Sequence, residues 1–476
     1  MNLTDTIVAA ATGEVQSALG MIRMSGRQAT DIISKVFIPL DNKDFKTSAK
    51  ANRLYYGRIV TAERMVAEKN GTPADSDGII DECMVSVFKA PHSFTGEDTV
   101  EISHHGSLYI RRKILQLLID NGARTAQRGE FSMRAFLNGK MNLSQTEAVA
   151  DLINSENSSS HDLALKQLRG SYNEELKLLR QKFLKTASLL ELEIDFSAEQ
   201  EVFIDRKELE ENLRSCIQRI ESLLKSFKQG NAFKNGIPVA IVGKPNSGKS
   251  TLMNALLNDN RSIVSSTEGT TRDTIEEAIN VNGIKVRFID TAGLRNSDNE
   301  IEREGIKRSL EAVKKAQTVL YLADASRDDC ESIEYQLAFL KQDVDLTGKR
   351  LILIVNKDDI SNINSQDRKR LEQKDAIFIS AAKKKGTDKI LKAVTEDYNG
   401  EDIAGKVFVT NIRHYECLKK SLDALMIAEQ NAQAGMSADI IAYDIRTATD
   451  FFGQITGEIT NEEVLGSIFS NFCIGK

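Results

Sequence analysis

Apolar and polar residues near the N-terminus follow two kinds of spacing. The stretches "DECMVSVFKA" and "DTVEISHHG" combine short apolar runs with flanking turn signals, as strands do. In "SLYIRRKILQLLIDNG" the apolar residues recur at spacings of three and four, which predicts a helix that ends at Gly122. Residues 1–118 are therefore predicted to form an α/β domain.

The next stretch, residues 119–230, has longer helical patterns. Amphipathic spacing runs through "SQTEAVADLINS", "HDLALKQLRGSYNEELKLLRQKFLKTASLLELEID" and "RKELEENLRSCIQRIESLLKSF". No proline lies between Pro91 and Pro238, which permits long helices. The segment "KQGNAFKNGIP" that follows is rich in Gly, Asn and Lys, and it is predicted to be a linker.

Residues 231–395 alternate strands with helices. The strands are apolar throughout, as in a parallel sheet covered on both faces; they are "PVAIVG", "VRFIDTAG", "TVLYLADAS", "LILIVNKDD" and "AIFISA". Helical patterns return over residues 396–476, in "RHYECLKKSLDALMIAEQNA" and "ADIIAYDIRTATDFFGQIT". The simplest organisation is multidomain: an N-terminal α/β domain, then an all-α domain in two halves that flank an inserted α/β domain.

Length, charge and cysteine usage narrow the class of protein. The 476 residues suffice for about three domains. A formal net charge of −6 means that any RNA-binding surface must be local. The five scattered cysteines, with no CxxC pair, predict a reducing cytoplasmic setting and no zinc site. We expect no membrane span, because no run of about 18 apolar residues occurs and the N-terminus lacks the basic residues of a signal peptide.

A phosphate-binding motif opens the inserted segment. The run "GKPNSGKS" matches G-x-x-x-x-G-K-[ST] and lies between a predicted strand and the predicted helix "TLMNALL". Backbone N–H groups can cradle phosphates there, Lys249 can reach the β- and γ-phosphates, and Ser250 can hold Mg²⁺. The predicted phosphate-binding residues are Asn246, Ser247, Gly248, Lys249, Ser250 and Thr251.

Two further motifs identify the base. The run "NKDD" follows an apolar strand, and a carboxylate there can accept hydrogen bonds from N1–H and the exocyclic amine of guanine. Adenine lacks that arrangement of donors, so Asp359 is predicted to select GTP over ATP. The run "SAAK" follows the next strand and can support the base through a backbone N–H. The predicted base-binding residues are Asn356, Lys357, Asp359, Ser380, Ala381 and Ala382.

The remaining GTPase motifs occur in the expected order. In "DTAG", Asp290 can bind Mg²⁺ through water and the Gly293 N–H can meet the γ-phosphate. In "GTTRD", Thr271 is placed to coordinate Mg²⁺. Together with the three motifs above, these predict a GTPase, and the predicted nucleotide-binding residues in this part are Gly269, Thr270, Thr271, Asp290, Thr291, Ala292 and Gly293.

One position departs from a common GTPase pattern. Many such enzymes carry Gln directly after "DTAG" to orient the attacking water, whereas Leu294 cannot form a hydrogen bond through its side chain. The run "NEIEREGIKR" offers Glu300, Glu302 and Glu304 instead. An acidic stretch of this kind is also what a solvated helix start looks like, so the residues alone leave both interpretations open.

Stretches from all parts of the chain carry a family resemblance. They are "GKPNSGKST", "SSTEGTTRD", "DTAGLR" followed by "EIER", "FTGEDTVEISHHG", "FLNGKMNLSQTEAVADLI" and the terminal "FCIGK". In these the chain resembles the MnmE/TrmE family of tRNA-modifying GTPases over essentially its full length. The resemblance implies an N-terminal folate-binding α/β domain that dimerises, a discontinuous helical domain, and an inserted Ras-like P-loop G domain. It also implies a homodimer whose G domains meet when GTP and K⁺ are bound.

The resemblance implies a K⁺ site and a water-positioning residue. A monovalent cation beside the phosphates can neutralise developing charge. The implied K⁺ ligands are Asn246, Ser265, Thr267 and Thr270. Ser266 and Glu268 lie in the same nucleotide-binding loop. Glu302 takes the place of the residue that orients water in the family, which would account for Leu294.

The resemblance also implies a tetrahydrofolate site. The implied site residues are Arg23, Glu101, Lys140 and Lys476. Cations suit a ligand with a glutamate tail, and Glu101 can hydrogen-bond a pterin. Cys473 could act on the one-carbon unit or on the uridine, or it could be a bystander, since no His or Lys is fixed beside it to activate the thiol.

By resemblance, the reaction adds an aminomethyl or carboxymethylaminomethyl group to carbon five of the wobble uridine of certain tRNAs. The family works with a partner subunit that carries FAD and uses NADH, and this chain has no G-x-G-x-x-G fingerprint of its own. A regulatory GTPase of ribosome assembly is the alternative, but it would be expected to carry a basic RNA-binding module. A scaffold with a vestigial GTPase is disfavoured by the complete motif set.

Overall fold

Two compact units make up the chain in this computed structural model. The structure describes residues 4–41, 44–69, 78–195, 206–259, 277–289, 311–398, 406–460, 462–470 and 472–475. The terminal unit comprises Met1–Ala150 with Phe452–Lys476, and the central unit comprises Asp151–Phe451. The finer boundaries predicted from the sequence, at residues 118, 230 and 395, stay predictions.

The helices of the described residues are short near the N-terminus and long in the middle of the chain. In chain order they are α1 (Ala29–Ser34), α2 (Phe45–Ser48), α3 (Ala62–Lys69), α4 (Leu108–Asp120), α5 (Glu130–Leu137), α6 (Leu143–Ile153), α7 (Ser158–Leu168), α8 (Ser171–Asp195), α9 (Arg206–Asn235), α10 (Lys249–Asp259), α11 (Cys330–Asp343), α12 (Ser365–Glu372), α13 (Thr387–Thr395), α14 (Ile412–Gln433), α15 (Ala438–Thr456) and α16 (Glu462–Ser470). None of these helices has the length and apolar character needed to cross a membrane. The five cysteines all lie in the described ranges and are free thiols, of which only Cys473 is exposed.

The terminal unit contains a seven-stranded sheet in the order β3-β4-β5-β6-β2-β1-β7. Its strands are β1 (Ile7–Ala10), β2 (Leu19–Ser25), β3 (Phe37–Pro39), β4 (Arg53–Val60), β5 (Ile79–Phe88), β6 (Thr99–His105) and β7 (Arg124–Thr125). The pairs are antiparallel except β1 with β7. The two strands predicted from the sequence are confirmed as β5 and β6.

Helix α4 supports this sheet through one buried stripe. Ile114 and Leu118 are fully buried in the same core as β2 and β6. The helix ends where the sequence predicts, because Gly122 takes a φ of +113°, a conformation that L-residues rarely adopt. The predicted α/β character of this part of the chain is therefore confirmed.

The central unit begins with helices, as the amphipathic spacing predicts. The long helical pattern divides at Gly170, which has a φ of +92° between α7 and α8. Helix α7 starts with a capping box in which Asn157 and Ser160 exchange side-chain and backbone hydrogen bonds. Helix α9 packs along α14.

The prediction that "KQGNAFKNGIP" forms a linker is wrong, because α9 continues through Asn235. Phe233 is fully buried and packs edge-to-face against Phe408, with ring centroids 5.6 Å apart. A Cβ on Gly230 would lie 2.4 Å from the carbonyl oxygen of Val409, so glycine permits a close backbone approach there. These tertiary contacts stabilise the segment as a helix, although its composition is typical of a loop.

The second sheet of the central unit has six strands in the order β13-β12-β11-β8-β10-β9. They are β8 (Ile237–Val242), β9 (Glu277–Val281), β10 (Ile284–Phe288), β11 (Thr318–Asp324), β12 (Arg350–Asn356) and β13 (Ile377–Phe378). The predicted parallel pairing is confirmed from β13 to β10, while the edge strand β9, which the sequence analysis missed, is antiparallel to β10. Separate apolar clusters cover the sheet. The carboxyl ends of β8, β11 and β12 share one edge, where the candidate site lies.

Candidate nucleotide-binding site

The phosphate-binding motif forms a tight loop between β8 and α10. A Cβ on Gly243 would lie 2.3 Å from the carbonyl oxygen of Leu322, and one on Gly248 would lie 2.3 Å from Asn356 Nδ2. Gly248 has a φ of +97° and Asn246 a φ of +63°. The loop conformation therefore needs glycine at the motif positions and tolerates asparagine between them.

Lys249 begins α10 and folds back over the loop. Its Nζ donates hydrogen bonds to the carbonyl oxygens of Gly243 and Lys244, both at 2.8 Å. Burial lowers the pKa of Lys249. Ser250 and Thr251 follow in the first turn of the same helix. An ammonium group desolvated at a loop of this shape is suited to contact an anionic ligand.

Asn356, at the end of β12, links the phosphate loop to the second base-binding motif. Its side chain is buried, and Nδ2 donates to the carbonyl oxygen of Ser247 at 2.8 Å. Its Oδ1 accepts from the backbone N–H of Ala381 at 3.0 Å, and Ala382 follows in the same turn. One amide therefore joins "GKPNSGKS", "NKDD" and "SAAK", which the sequence analysis identified separately.

Lys357 lies across the phosphate loop. It has a φ of +63°, and its Nζ donates to the carbonyl oxygen of Asn246 at 3.0 Å and to Asp324 Oδ2 at 2.6 Å. Burial alone would raise the pKa of Asp324, but hydrogen bonds from Lys357 and Ser326 outweigh it and lower that pKa. The ionised carboxylate thus fixes the lysine against the backbone of Asn246.

The sequence analysis missed Asp324 and Asp328. Asp324 ends β11, and Asp328 Oδ1 lies 2.8 Å from Nζ of Lys244 in the phosphate loop. The backbone N–H of Asp324 also donates to Asp328 at 3.2 Å. A carboxylate at the carboxyl end of an apolar parallel strand was the signal that could have identified Asp324.

Asp359 is the carboxylate predicted to read the base. Its Oδ2 lies 3.3 Å from Lys383 Nζ. A hydrogen bond from the Ser380 hydroxyl, aided by Lys383, lowers the pKa of Asp359, so the group is ionised at neutral pH. The preceding Asp358 instead pairs with Arg368 at 2.6 Å. Asp359 is therefore the member of the pair that lies beside the "SAAK" loop.

Many of the predicted switch residues, together with the C-terminal Lys476 of the implied folate site, lie outside the described residues, and their roles stay predictions. This set comprises Ser265, Ser266, Thr267, Glu268, Gly269, Thr270, Thr271, Asp290, Thr291, Ala292, Gly293, Leu294, Glu300, Glu302, Glu304 and Lys476.

In the terminal unit the structure brings together two of the residues that the resemblance assigns to folate. Arg23 and Glu101 are directly opposite each other on β2 and β6, with Arg23 Nε 2.8 Å from Glu101 Oε1. The guanidinium also lies 5.4 Å from the centroid of the Phe94 ring. Lys140 Nζ donates to the carbonyl oxygen of Pro91 at 2.9 Å, so it contacts the same loop that carries Phe94.

The C-terminal tail is seated against the terminal unit. Phe472 belongs to an apolar cluster with Leu143 and Phe469. The carbonyl oxygen of Cys473 accepts from the Gly129 N–H at 3.4 Å, while the Cys473 side chain is exposed. Gly475 has a φ of +94°, and a Cβ there would lie 2.2 Å from the carbonyl oxygen of Ala10. The final glycine therefore allows the tail to lie against the end of β1, next to β2.

Comparison with known proteins gives concordant results over the whole chain. Residues 143–473 match the family described as MnmE helical domain, and residues 6–140 match GTP-binding protein TrmE N-terminus. Similar curated proteins include three described as tRNA modification GTPase MnmE. That of Flavobacterium johnsoniae is 45% identical over 99% of both chains. That of Christiangramia forsetii is 43% identical over 100% of both, and that of Bacteroides thetaiotaomicron is 43% identical over 99% of both.

One solved structure of low similarity is the G domain of the T. maritima FeoB iron transporter. It is 23% identical, with a TM-score of 0.23, and the match covers 34% of this chain and 97% of that chain. A likeness at that level does not bear on the function of the chain.

Proposed function

The chain belongs to the MnmE family of tRNA modification GTPases, and from that premise we propose that it is a K⁺-activated GTPase that drives modification of the wobble uridine in certain tRNAs. It is a GTP-hydrolysing enzyme that acts in tRNA modification and uses GTP with Mg²⁺. The observation that best supports a guanine-nucleotide site is the buried amide of Asn356, which holds the phosphate loop and the base-binding loop together.

The cation site is part of the proposal. Asn246 would bind K⁺ through its side chain, with Ser265, Thr267 and Thr270 completing the shell, while Ser250 and Thr271 would hold Mg²⁺. The hydrogen bond from Lys357 to the Asn246 carbonyl supports this assignment, because it fixes the backbone from which that side chain projects. A cation beside the phosphates would neutralise charge that develops during hydrolysis.

We expect GTP hydrolysis to be at least about tenfold faster in K⁺ than in Na⁺ at equal ionic strength. The measurement is the initial rate of phosphate release by the full chain in each salt. Asn246→Gly is the matched variant, because glycine keeps the positive φ and removes only the side chain. It should lose the preference for K⁺. Equal rates of the unmodified chain in the two salts would contradict the cation site.

A tetrahydrofolate derivative would supply the one-carbon unit to the terminal unit. Arg23, Glu101, Lys140 and Lys476 would bind it, with Cys473 nearby as a candidate for the chemistry. The support is the facing pair of cation and carboxylate on β2 and β6, together with the tail that lies at the end of β1. The uridine would receive an aminomethyl or carboxymethylaminomethyl group at carbon five.

Deletion of Lys476 should weaken binding of a formyl-tetrahydrofolate about tenfold, because a charge-assisted contact to the ligand would be lost. Titration calorimetry measures this directly. Ile474→Ala is a suitable control, since Ile474 is 55% exposed and carries no charge. Equal affinity of the deleted and full-length chains would remove the tail from the folate site.

The proposal also covers the partners of the chain and the coupling of GTP hydrolysis to conformational change. The chain would act in the cytoplasm as a homodimer with a partner subunit that carries FAD and uses NADH. Hydrolysis would open and close the G domains, and the helices would relay the change. The turn between β9 and β10 supports a relay, since the Gly283 carbonyl accepts from the Ser159 N–H at 3.3 Å and Lys285 pairs with Glu156 at 2.5 Å. The two strands lie between the two predicted switch stretches.

A further inference from the structure

Arg111 is a buried cation whose hydrogen-bonding groups are mostly unused. It lies on the stripe of α4 that also carries Ile114 and Leu118, and it is 4% exposed. Its Nη2 makes one long contact of 3.5 Å with Thr12 Oγ1. Within the described part of the chain, Nε and Nη1 have no hydrogen-bond partner. A buried guanidinium in this state is destabilising unless an acceptor binds to it.

His104, at the end of β6, is a second buried group with an unused atom. It is 1% exposed, and its Nδ1 lies 2.7 Å from the carbonyl oxygen of His105. A carbonyl can only accept, so Nδ1 carries the proton. Burial lowers the pKa of His104, which keeps the ring neutral and leaves Nε2 as an acceptor. No described residue donates to Nε2.

Both side chains lie near the first residues of β2. Gly20 pairs with His104 in the sheet, and a Cβ on Gly20 would lie 2.6 Å from His104 Cε1. The neighbouring Met21 N–H donates to Thr12 Oγ1, the same oxygen that Arg111 contacts. The charge of Arg111 also contributes to the low pKa of His104. Arg111, Thr12 and His104 therefore surround one end of the strand.

We propose that Arg111 and His104 bind inorganic phosphate as its monohydrogen dianion. This ion carries oxyanion acceptors for Arg111 and one hydroxyl donor for His104 Nε2. Sulfate has the same shape and only acceptors at neutral pH, so it complements Arg111 alone. The exposed loop of residues 12–18 leads to this end of β2 and offers a route for entry.

The site is distinct from the proposed folate and nucleotide sites. Gly20 and Arg23 are three residues apart on β2, so their side-chain directions point to opposite faces of the sheet. The ligand therefore approaches on the α4 face, and the proposal does not depend on folate binding. The phosphate loop belongs to the central unit.

Binding of inorganic phosphate to the GDP-saturated full chain tests the proposal, because GDP fills the phosphate loop beforehand. Equilibrium dialysis at constant ionic strength should show one further phosphate bound, with sulfate at least about tenfold weaker. Arg111→Gln should weaken phosphate at least about tenfold. The control is Arg112→Gln, which removes the same charge from the exposed neighbouring residue and should leave the affinity unchanged.

Two more variants keep the test decisive if Arg111→Gln does not fold. Arg111→Lys keeps the charge but lacks the Nε donor, and it should also weaken phosphate. His104→Phe keeps the shape of the ring and removes the acceptor, so it should abolish the preference for phosphate over sulfate. The phosphate of glycerol phosphate is mostly a dianion without a hydroxyl at neutral pH, so this compound should compete only as weakly as sulfate. No bound phosphate, equal affinity for sulfate, or equal losses in the Arg111 and Arg112 variants would overturn the proposal.

Discussion

Asp359→Asn should lower the affinity for GTP about a hundredfold and create a preference for xanthosine triphosphate. The ionised carboxylate lies beside Ser380 and Lys383, and in the predicted role it would accept hydrogen bonds from two donors on guanine. An asparagine side chain keeps one acceptor and replaces the other with an N–H group. Xanthine has a carbonyl oxygen where guanine has its exocyclic amine, so that N–H gains an acceptor. Competition between the two triphosphates for the variant measures the change.

Asp358→Asn is the matched control for this prediction. It makes the same chemical change one residue earlier, at a carboxylate that pairs with Arg368 instead of lying beside the "SAAK" loop. This variant should keep its preference for GTP. Retained GTP affinity in Asp359→Asn, or the same switch in both variants, would contradict the assignment of the base-reading residue.

The grouping of the described candidate nucleotide-binding loops was largely predictable, because they follow local motifs at strand ends. The order of "GKPNSGKS", "NKDD" and "SAAK" after apolar strands indicates that the three loops share one sheet edge. The structure adds the amide of Asn356 as the physical link between them. By contrast, although Asp324 stands at the end of an apolar strand, its contact with Lys357 and that of Asp328 with Lys244 depend on β11 lying between β8 and β12. Strand order of this kind leaves no local signal in the sequence.

The segment "KQGNAFKNGIP" before β8 was predicted wrongly, because tertiary contacts outweigh its local sequence signal. Its Gly and Asn residues are typical of a linker, yet Gly230 permits the approach of the Val409 backbone and Phe233 fills the core beside it. Both partners of these contacts lie far along the chain, so the helix could not be inferred from the segment. The close approach of Gly475 to Ala10 could not be inferred from the local sequence either.

Glu302→Ala should slow GTP hydrolysis by about two orders of magnitude or more while GTP still binds. The reason begins with Leu294, which cannot orient a water molecule, so another group must do so. A carboxylate can accept a hydrogen bond from the attacking water and align it with the γ-phosphate. Such a contact matters in the transition state more than in the bound state, so the loss should appear in the rate and not in the affinity.

Single-turnover hydrolysis and equilibrium binding of GTP separate these two effects for the Glu302 variant. Glu300→Ala and Glu304→Ala are matched controls from the same acidic stretch, and both should hydrolyse GTP at close to the normal rate. Equal losses in all three variants would point to the general negative charge of the stretch. Normal turnover in Glu302→Ala would remove this residue from the mechanism, and another group would then have to orient the water. The three rates therefore distinguish one positioned carboxylate from a solvated acidic surface, the two interpretations that the sequence leaves open.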